Sequence, residues 1–467
     1  MQKPLSTRPD LSAAQRAAID ARIRNAVGRM ATPIPRRAPD LRVPLSFAQE
    51  RMWRWTRIPI TSPIHNAPSA LRIRGNLSVS NLERALNQIV SRHEALRHSF
   101  RVDAEGPYQF VRGDGTIRIR VVELPGLTDD QREATTREQA REQARLSFDI
   151  EKGPLIRALV LRFAGDDHAL MLTTHHIIFD GWSKGVMLAE VQQIYSALSE
   201  GRSWQPPPLP IQFGDFAHWQ QQSLPREALA SHLDYWTQRL AGYSDFQLPL
   251  DFPRPTSQTF TGRRRWLRFP TALSSQLQAL AAREGVSLFV VLLTAWASLL
   301  AQRTGRAEVL LGTLVAGRTL PETEPLIGFF VNYLPLRLQV GSANSWRELL
   351  PRIQTTCVEA YEHQDAPFHL IVESLGIRNE PAYHPIFQLS FTLHNGPMTM
   401  IRLPGLQTEL VEFDDEYCRL DLEFDLWWRE GAIEGFTVHN PDLFDDGSVR
   451  DLTCEYERLL QDAAQQR

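Results

Sequence analysis

Cysteine is scarce in this chain: Cys357, Cys418 and Cys454 are the three present among 467 residues. They are odd in number, widely spaced and never arranged as CxxC, so the pattern gives neither a disulfide framework nor a zinc site. A reducing cytoplasm is the expected compartment. The chain also lacks a long clean apolar run. Its longest, Val286 to Ala301, is interrupted by Ser287, Thr294 and Ser298 and falls short of the roughly 20 residues a membrane span needs. A buried core helix is expected there, and no membrane association. No basic n-region followed by an apolar h-region and a cleavage site opens the sequence, so secretion is not expected. Nor is there an excess of positive charge. With 51 basic against 54 acidic side chains, the net charge is −3 at pH 7, which argues against nucleic acid as a partner.

What is present suits a folded protein: 43% of residues are hydrophobic and 22% charged. At about 150 residues per domain, the length implies two or three domains or two large lobes. The first 43 residues stand apart, with nine Lys or Arg against three Asp. Ala18, Ile19, Ile23 and Val27 at helical spacing predict a helix over Leu11 to Arg29, with Ser12 as its cap. The basic stretch Thr32 to Pro39 carries three prolines and reads as a semi-rigid linker. Residues 1–43 are thus a basic appendage, either a linker or a docking segment for an acidic partner.

From Pro44 the pattern is α/β. Helical periodicity at Val79 to Arg92 and Ser183 to Leu198 alternates with strand-like runs at Ile156 to Phe163 and Ala169 to Thr174. Pro206, Pro207, Pro208 and Pro210 cannot sit in a helix interior or central strand, which places a lobe boundary at 210. Residues 44–210 form the first lobe and 211–467 the second. In the second, helices at Leu273 to Arg283 and Ser287 to Ala301 precede strands at Val309 to Val315 and near Phe329 to Leu338. A long helix then covers Ser345 to His363. Element order resembles that of the first half, and a cleft between two such lobes is a favoured ligand site.

Chemistry concentrates in His175-His176-Ile177-Ile178-Phe179-Asp180-Gly181. An apolar strand runs into two histidines, a turn and an amphipathic helix. If the strand continued through both, their side chains would face opposite sides, so one alone would reach a given cleft. A neutral imidazole on a strand end suits a general base. Asp180 suits a structural ion pair, and Gly181 offers a close-approaching N–H at a helix start, where an oxyanion can be stabilised. A lone His-His is more often a surface or core pair. The full HHxxxDG pattern arises by chance on the order of once in a thousand such chains, and strand-turn-helix is its proper setting. No third ligand at familiar spacing supports a metal reading.

With these residues the sequence resembles the condensation domains of nonribosomal peptide synthetases, relatives of chloramphenicol acetyltransferase. The resemblance runs from Pro44 to the C-terminus. Ser46-Phe47-Ala48-Gln49-Glu50-Arg51-Met52-Trp53 is similar to the family's opening motif and Arg92-His93-Glu94-Ala95-Leu96-Arg97 to the second. HHxxxDG is the third. Phe213-Gly214-Asp215-Phe216, Ile327-Gly328-Phe329-Phe330-Val331-Asn332, His363-Gln364-Asp365-Ala366-Pro367-Phe368 and His384-Pro385-Ile386-Phe387-Gln388 follow in family order.

The resemblance implies an α/β fold of two chloramphenicol acetyltransferase-like lobes in a V-shaped pseudo-dimer with a central tunnel. Phosphopantetheine arms delivered by a donor and an acceptor carrier protein would enter it from opposite faces. It also implies that His176 acts as base or positions the acceptor, and that His175 supports the turn. Asp180 would be structural and paired with an Arg of the second lobe, for which Arg318 is the match. Phe179, His98 and Tyr333 depart from the family's common Ser, Thr and Thr. The intact HHxxxDG argues against the cyclising subtype, and the opening motif resembles that of members joining L-configured donors.

The implied activity is acyl or peptidyl transfer from a carrier thioester to an amine or hydroxyl, with no intrinsic cofactor and no metal. The acceptor is carrier-bound or soluble, and the chain a monomer, free-standing or excised from a synthetase. Two other readings compete: a catalytically silent platform for carrier or tailoring proteins, and a CoA-dependent small-molecule acyltransferase. Retention of His175, His176, Asp180 and Gly181 disfavours the first, and Gly328 to Asn332 disfavours the second.

Overall fold

A computed structural model describes residues 33–56, 63–113, 115–225, 227–341, 345–378, 380–396 and 401–465. The predicted helix over Leu11 to Arg29 lies outside them. The first half holds β1 (Val43–Pro44), α1 (Phe47–Thr56), β2 (Asn66–Arg74), α2 (Val79–Arg92), β3 (His98–Asp103) and β4 (Gly106–Val111). It continues through β5 (Ile119–Glu123), α3 (Asp129–Arg145), β6 (Ile156–Ala164), β7 (Asp167–His175) and α4 (Gly181–Ser199). After the proline run come α5 (Phe213–Ser223), α6 (Ala230–Leu240), β8 (Arg263–Arg268), α7 (Thr271–Glu284), α8 (Leu288–Thr304), β9 (Glu308–Val315) and β10 (Asn332–Gln339). Last are α9 (Trp346–Glu362), α10 (Phe368–Ser374), β11 (Leu389–His394), β12 (Gln407–Leu410), β13 (Leu422–Arg429), β14 (Ala432–His439) and α11 (Asp446–Gln465).

Two sheets organise the molecule. The first runs β12-β2-β7-β6-β5, the second β10-β9-β11-β13-β14-β8, and a small sheet β1-β4-β3 flanks the first. Alternation explains how the first sheet is covered on both faces. On β6, Ile156, Ala158 and Val160 join the core that contains Leu82, Leu86 and Ile89 of α2, while Leu159, Leu161 and Phe163 meet Ala140 of α3 on the other face. Buried residues at 82, 85, 86, 89 and 90 of α2 follow the spacing of an amphipathic helix.

The second sheet is backed by α7, α8, α9 and α11 around Trp296, Phe391, Phe424 and Tyr456. Helix α8 is the expected core helix. The polar residues that interrupt its apolar run need no external partner, because Thr294 Oγ1 donates to Val290 O at 2.6 Å and Ser298 Oγ to Thr294 O at 2.8 Å. Among the described residues no single helix is long and apolar enough to cross a membrane.

Two features differ from the sequence expectations. Strand β12, from the region assigned to the second lobe, pairs antiparallel with β2 of the first, Gln407 opposite Arg74 and Leu410 opposite Leu71. The strand expected near Phe329 starts at Asn332, because Phe330 N–H is spent on Asp180 Oδ2 at 3.1 Å rather than on a ladder. The described part of the linker is packed against the fold: Ile34 is buried beside Phe213, Leu326 and Phe330. The Arg37 guanidinium joins Glu94 at 2.6 Å and Asp215 at 2.7 Å.

Candidate active site

Strand β7 delivers His175 and stops. The next residue begins a single 3-10 turn over His176–Ile178, so the two imidazoles diverge by a turn and not by strand pleating. His175 is buried, and its Nδ1 accepts from Ile177 N–H at 3.1 Å. Burial, reinforced by His176 and Arg157, lowers its pKa to about 3. It is a neutral acceptor that closes the turn.

His176 is half-buried and lines a cavity of about 1320 Å³. Its Nδ1 lies 3.0 Å from Phe179 O. A carbonyl accepts and cannot donate, so the proton is assigned to Nδ1 and Nε2 keeps its lone pair. Burial, with the nearby Arg419 cation, lowers the imidazole to about 4, so it is uncharged and able to accept a proton at neutral pH. Phe179 therefore contributes a backbone oxygen to the site, which its side-chain identity does not alter.

Asp180 caps α4, its Oδ1 accepting from Ser183 N–H at 2.8 Å. The same carboxylate meets Arg318 Nη2 at 3.1 and 3.3 Å, with both side chains 1% exposed. Arg318 Nη1 donates to Thr323 O at 2.5 Å and Leu326 O at 2.8 Å, and its guanidinium lies 4.0 Å above the Phe330 ring. Burial lowers the Arg318 pKa, against the pull of Asp180. Ser183 Oγ completes the knot, 2.8 Å from Gly328 O and accepting from Gly328 N–H at 3.0 Å. The HHxxxDG turn is thereby tied to the segment that leads into β10.

Gly181 opens α4 and borders the cavity, and a Cβ there would meet no atom within 4 Å. Its φ is not in the left-handed region, so what glycine supplies at this position is open space beside a helix N-terminus. That is where an oxyanion or a substrate backbone fits.

The remaining motif residues hold this arrangement. Gln49 Nε2 donates to Ile177 O at 2.9 Å, fixing the carbonyl side of the turn. His93 Nδ1 accepts from Ile327 N–H at 3.3 Å. Asn332 Nδ2 donates to Gln364 O and Ala366 O at 3.1 and 2.7 Å, and its Oδ1 accepts from Phe368 N–H at 3.1 Å. Tyr333 borders the cavity under the Arg51 guanidinium, 4.7 Å from its ring, while His98 is buried apart from it. Sequence reasoning missed Arg419, Lys184, His394 and Asp425, all of which line the cavity. Their signal lay in no local motif. Burial lowers Lys184 to about 8. Among the described residues no group of three or more His, Cys, Asp or Glu is placed to hold a metal ion.

Two layered α/β sheets and a histidine turn locked between them define a condensation-type fold. The chain belongs to the condensation-domain family, whose model matches residues 41–467. Malpinin synthetase of Mortierella alpina is 36% identical over 90% of the chain, and phosphinothricin tripeptide synthetase PhsC of Streptomyces viridochromogenes 36% over 94%. The chain spans 5% and 41% of those relatives' lengths. Among solved structures, the X-domain from teicoplanin biosynthesis superposes with a TM-score of 0.81 at 27% identity, covering 93% of this chain and 97% of that one. The same kind of domain in a complex with OxyB gives 0.80 at 27% identity, over 93% and 95%. The first condensation domain of the CDA synthetase shares the fold, with a TM-score of 0.77 at 20% identity over 91% and 96%.

Proposed function

We propose that the protein transfers an acyl or peptidyl group from a carrier-bound phosphopantetheine thioester to an amine or hydroxyl acceptor. In this reading residues 44–210 and 211–467 are two acetyltransferase-like lobes, and the cavity is a tunnel that donor and acceptor arms enter from opposite faces. Residues 1–43 are an appendage to them. The observation that carries the reading is the His176 imidazole, held through Nδ1 by Phe179 O with Nε2 left free, in a cavity bordered by Gly181.

The thioester supplies the driving force. The acceptor nitrogen or oxygen attacks the carbonyl carbon, the proton it sheds passes to His176 Nε2, and the C–S bond breaks as the leaving sulfur takes that proton. The open N-terminus of α4 at Gly181 faces the charge that develops on the carbonyl oxygen. His175, Asp180 and Arg318 act through His176 by fixing its turn.

A second reading, a protein-binding platform, draws support from the X-domain held in complex with OxyB. One experiment separates the two. A carrier protein loaded with an acyl-pantetheine is offered amine and alcohol acceptors, and the products are weighed by mass spectrometry. Acyl transfer that needs this protein supports the enzyme. Carrier binding without a product for any acceptor supports the platform.

A further inference from the structure

Another wall of the cavity is built by the parallel neighbours β11 and β13, in register with Thr392 opposite Asp425 and His394 opposite Trp427. There His394 Nε2 donates to Asp425 Oδ1 at 2.6 Å. The imidazole also stacks on Trp427, with centroids 4.5 Å apart and planes 11° from parallel. The carboxylate fixes the tautomer and the indole fixes the plane, which leaves Nδ1 as the available acceptor. His394, Asp425 and Trp427 all line the cavity that holds His176. The end of β11 also abuts the HHxxxDG turn, since a Cβ on Gly396 would lie 3.6 Å from Cα of Trp182, the neighbour of Gly181.

The surrounding charges leave this pair available. Arg419 is held by Glu423 at 3.4 Å, Arg429 by Glu434 at 3.1 Å and Arg264 by Asp415 at 2.8 Å, so these cations of the wall have their own carboxylates. Lys184 reaches the same cavity from α4. The His394 and Asp425 side chains are 27% and 13% exposed, so the pair is set in the wall rather than in the core.

Chemistry supplies a task. An α-amino group has a pKa near 7.7–8.0 in isolation and arrives largely as an ammonium, which must lose two protons to become an amide nitrogen. One of them ends on the leaving sulfur, and the other must leave before attack. His176, held at about 4 by burial, is a weak base for that first step.

We propose that His394 contacts the acceptor and takes the first proton from its ammonium, with Asp425 positioning the imidazole and stabilising the imidazolium that forms. The balance is simple. R–NH3+ and neutral His394 give R–NH2 and protonated His394, which later returns its proton to water. The amine lone pair then forms the C–N bond, and its next proton travels through His176 to the sulfur as C–S breaks. The inference rests on the acyl-transfer reading with an amine acceptor, and it names a primary ammonium as the group recognised.

The test uses unreactive probes, so it is separable from turnover. Glycyl-aminopantetheine, with an amide in place of the thioester, and acetyl-aminopantetheine, which lacks the amino group, are titrated calorimetrically into the full chain at pH 7.5. Wild type is expected to prefer the glycyl probe. His394→Phe and Asp425→Asn should reduce that preference by about tenfold or more, the scale of a hydrogen bond to a charged group. His394→Gln, which accepts a hydrogen bond but cannot take a proton, should keep part of the preference and lose amide formation. Equal preference in wild type and His394→Gln, at equal unfolding midpoints, together with unimpaired amide formation overturns the proposal. Failure of wild type to condense any acceptor overturns the acyl-transfer reading instead, because the probe preference is read without it.

Discussion

Two walls of the cavity are built on different plans. The HHxxxDG turn is anchored to backbone and to buried partners: Phe179 O holds His176, Ile177 N–H is taken by His175, and Asp180 meets Arg318, Ser183 and Phe330. The wall of β11 and β13 presents side-chain pairs instead, with His394 on Asp425 and Arg419 on Glu423. The turn tolerates little change where a side chain does the pinning, at His175, Asp180 and Ser183. A strand wall keeps its ladder whatever side chains it displays, so it is free to vary with the substrate. Under the proposed acyl transfer, the first wall carries the proton chemistry and the second meets the acceptor.

The contrast breaks most severely at the ion pair. Asp180→Ala removes the cap of α4 and strands a buried guanidinium, so a loss of about 3–5 kcal/mol is expected. It is read as a lower denaturant midpoint and as faster hydrogen exchange at residues 176–186 and 318–330. Arg318→Ala should repeat that pattern, and slow exchange in both variants would dissolve the anchored-turn picture. His175→Ala leaves Ile177 N–H without its acceptor, so about 1–3 kcal/mol is expected by chemical denaturation. Activity should fall in proportion to the folded fraction and no further.

Last is the pH dependence. His175 and His384 are held neutral at about 3 and His176 at about 4, whereas an unfolded imidazole titrates near 6.5. The unfolded chain therefore binds protons the folded one refuses. The stability these histidines contribute is fully present above about 6.5 and is lost as the pH drops from there towards 3. Unfolding midpoints measured between pH 7 and 5 should show this slope, and His384→Gln should flatten it by up to about 1.4 kcal/mol per pH unit. An unchanged slope would place His384 outside the set of refused protons.

Much of the anchored wall was legible in the sequence. Periodicity marked α2 at Val79 to Arg92 with both ends matched, and the HHxxxDG pattern marked the turn. Arg318 was reached by resemblance alone, since nothing in Gly317-Arg318 says what lies 138 residues away. The strand wall was illegible for the same physical reason. His394 and Asp425 are 31 residues apart, and their meeting depends on a parallel register that no local spacing encodes. Strand β12 escaped notice because four residues of unremarkable alternation carry no label for which sheet they join. Nor does the composition of the linker, dominated by prolines and arginines, say that Arg37 meets Glu94 and Asp215 on distant elements.

The most direct test of His176 as the base is single-turnover condensation by wild type and His176→Ala, followed by mass spectrometry from an acyl-loaded carrier protein, with unfolding midpoints taken in parallel. Acyl transfer by wild type is expected, with a rate at least about 100-fold lower for His176→Ala at an unchanged midpoint. Transfer at the wild-type rate by folded His176→Ala would contradict that role.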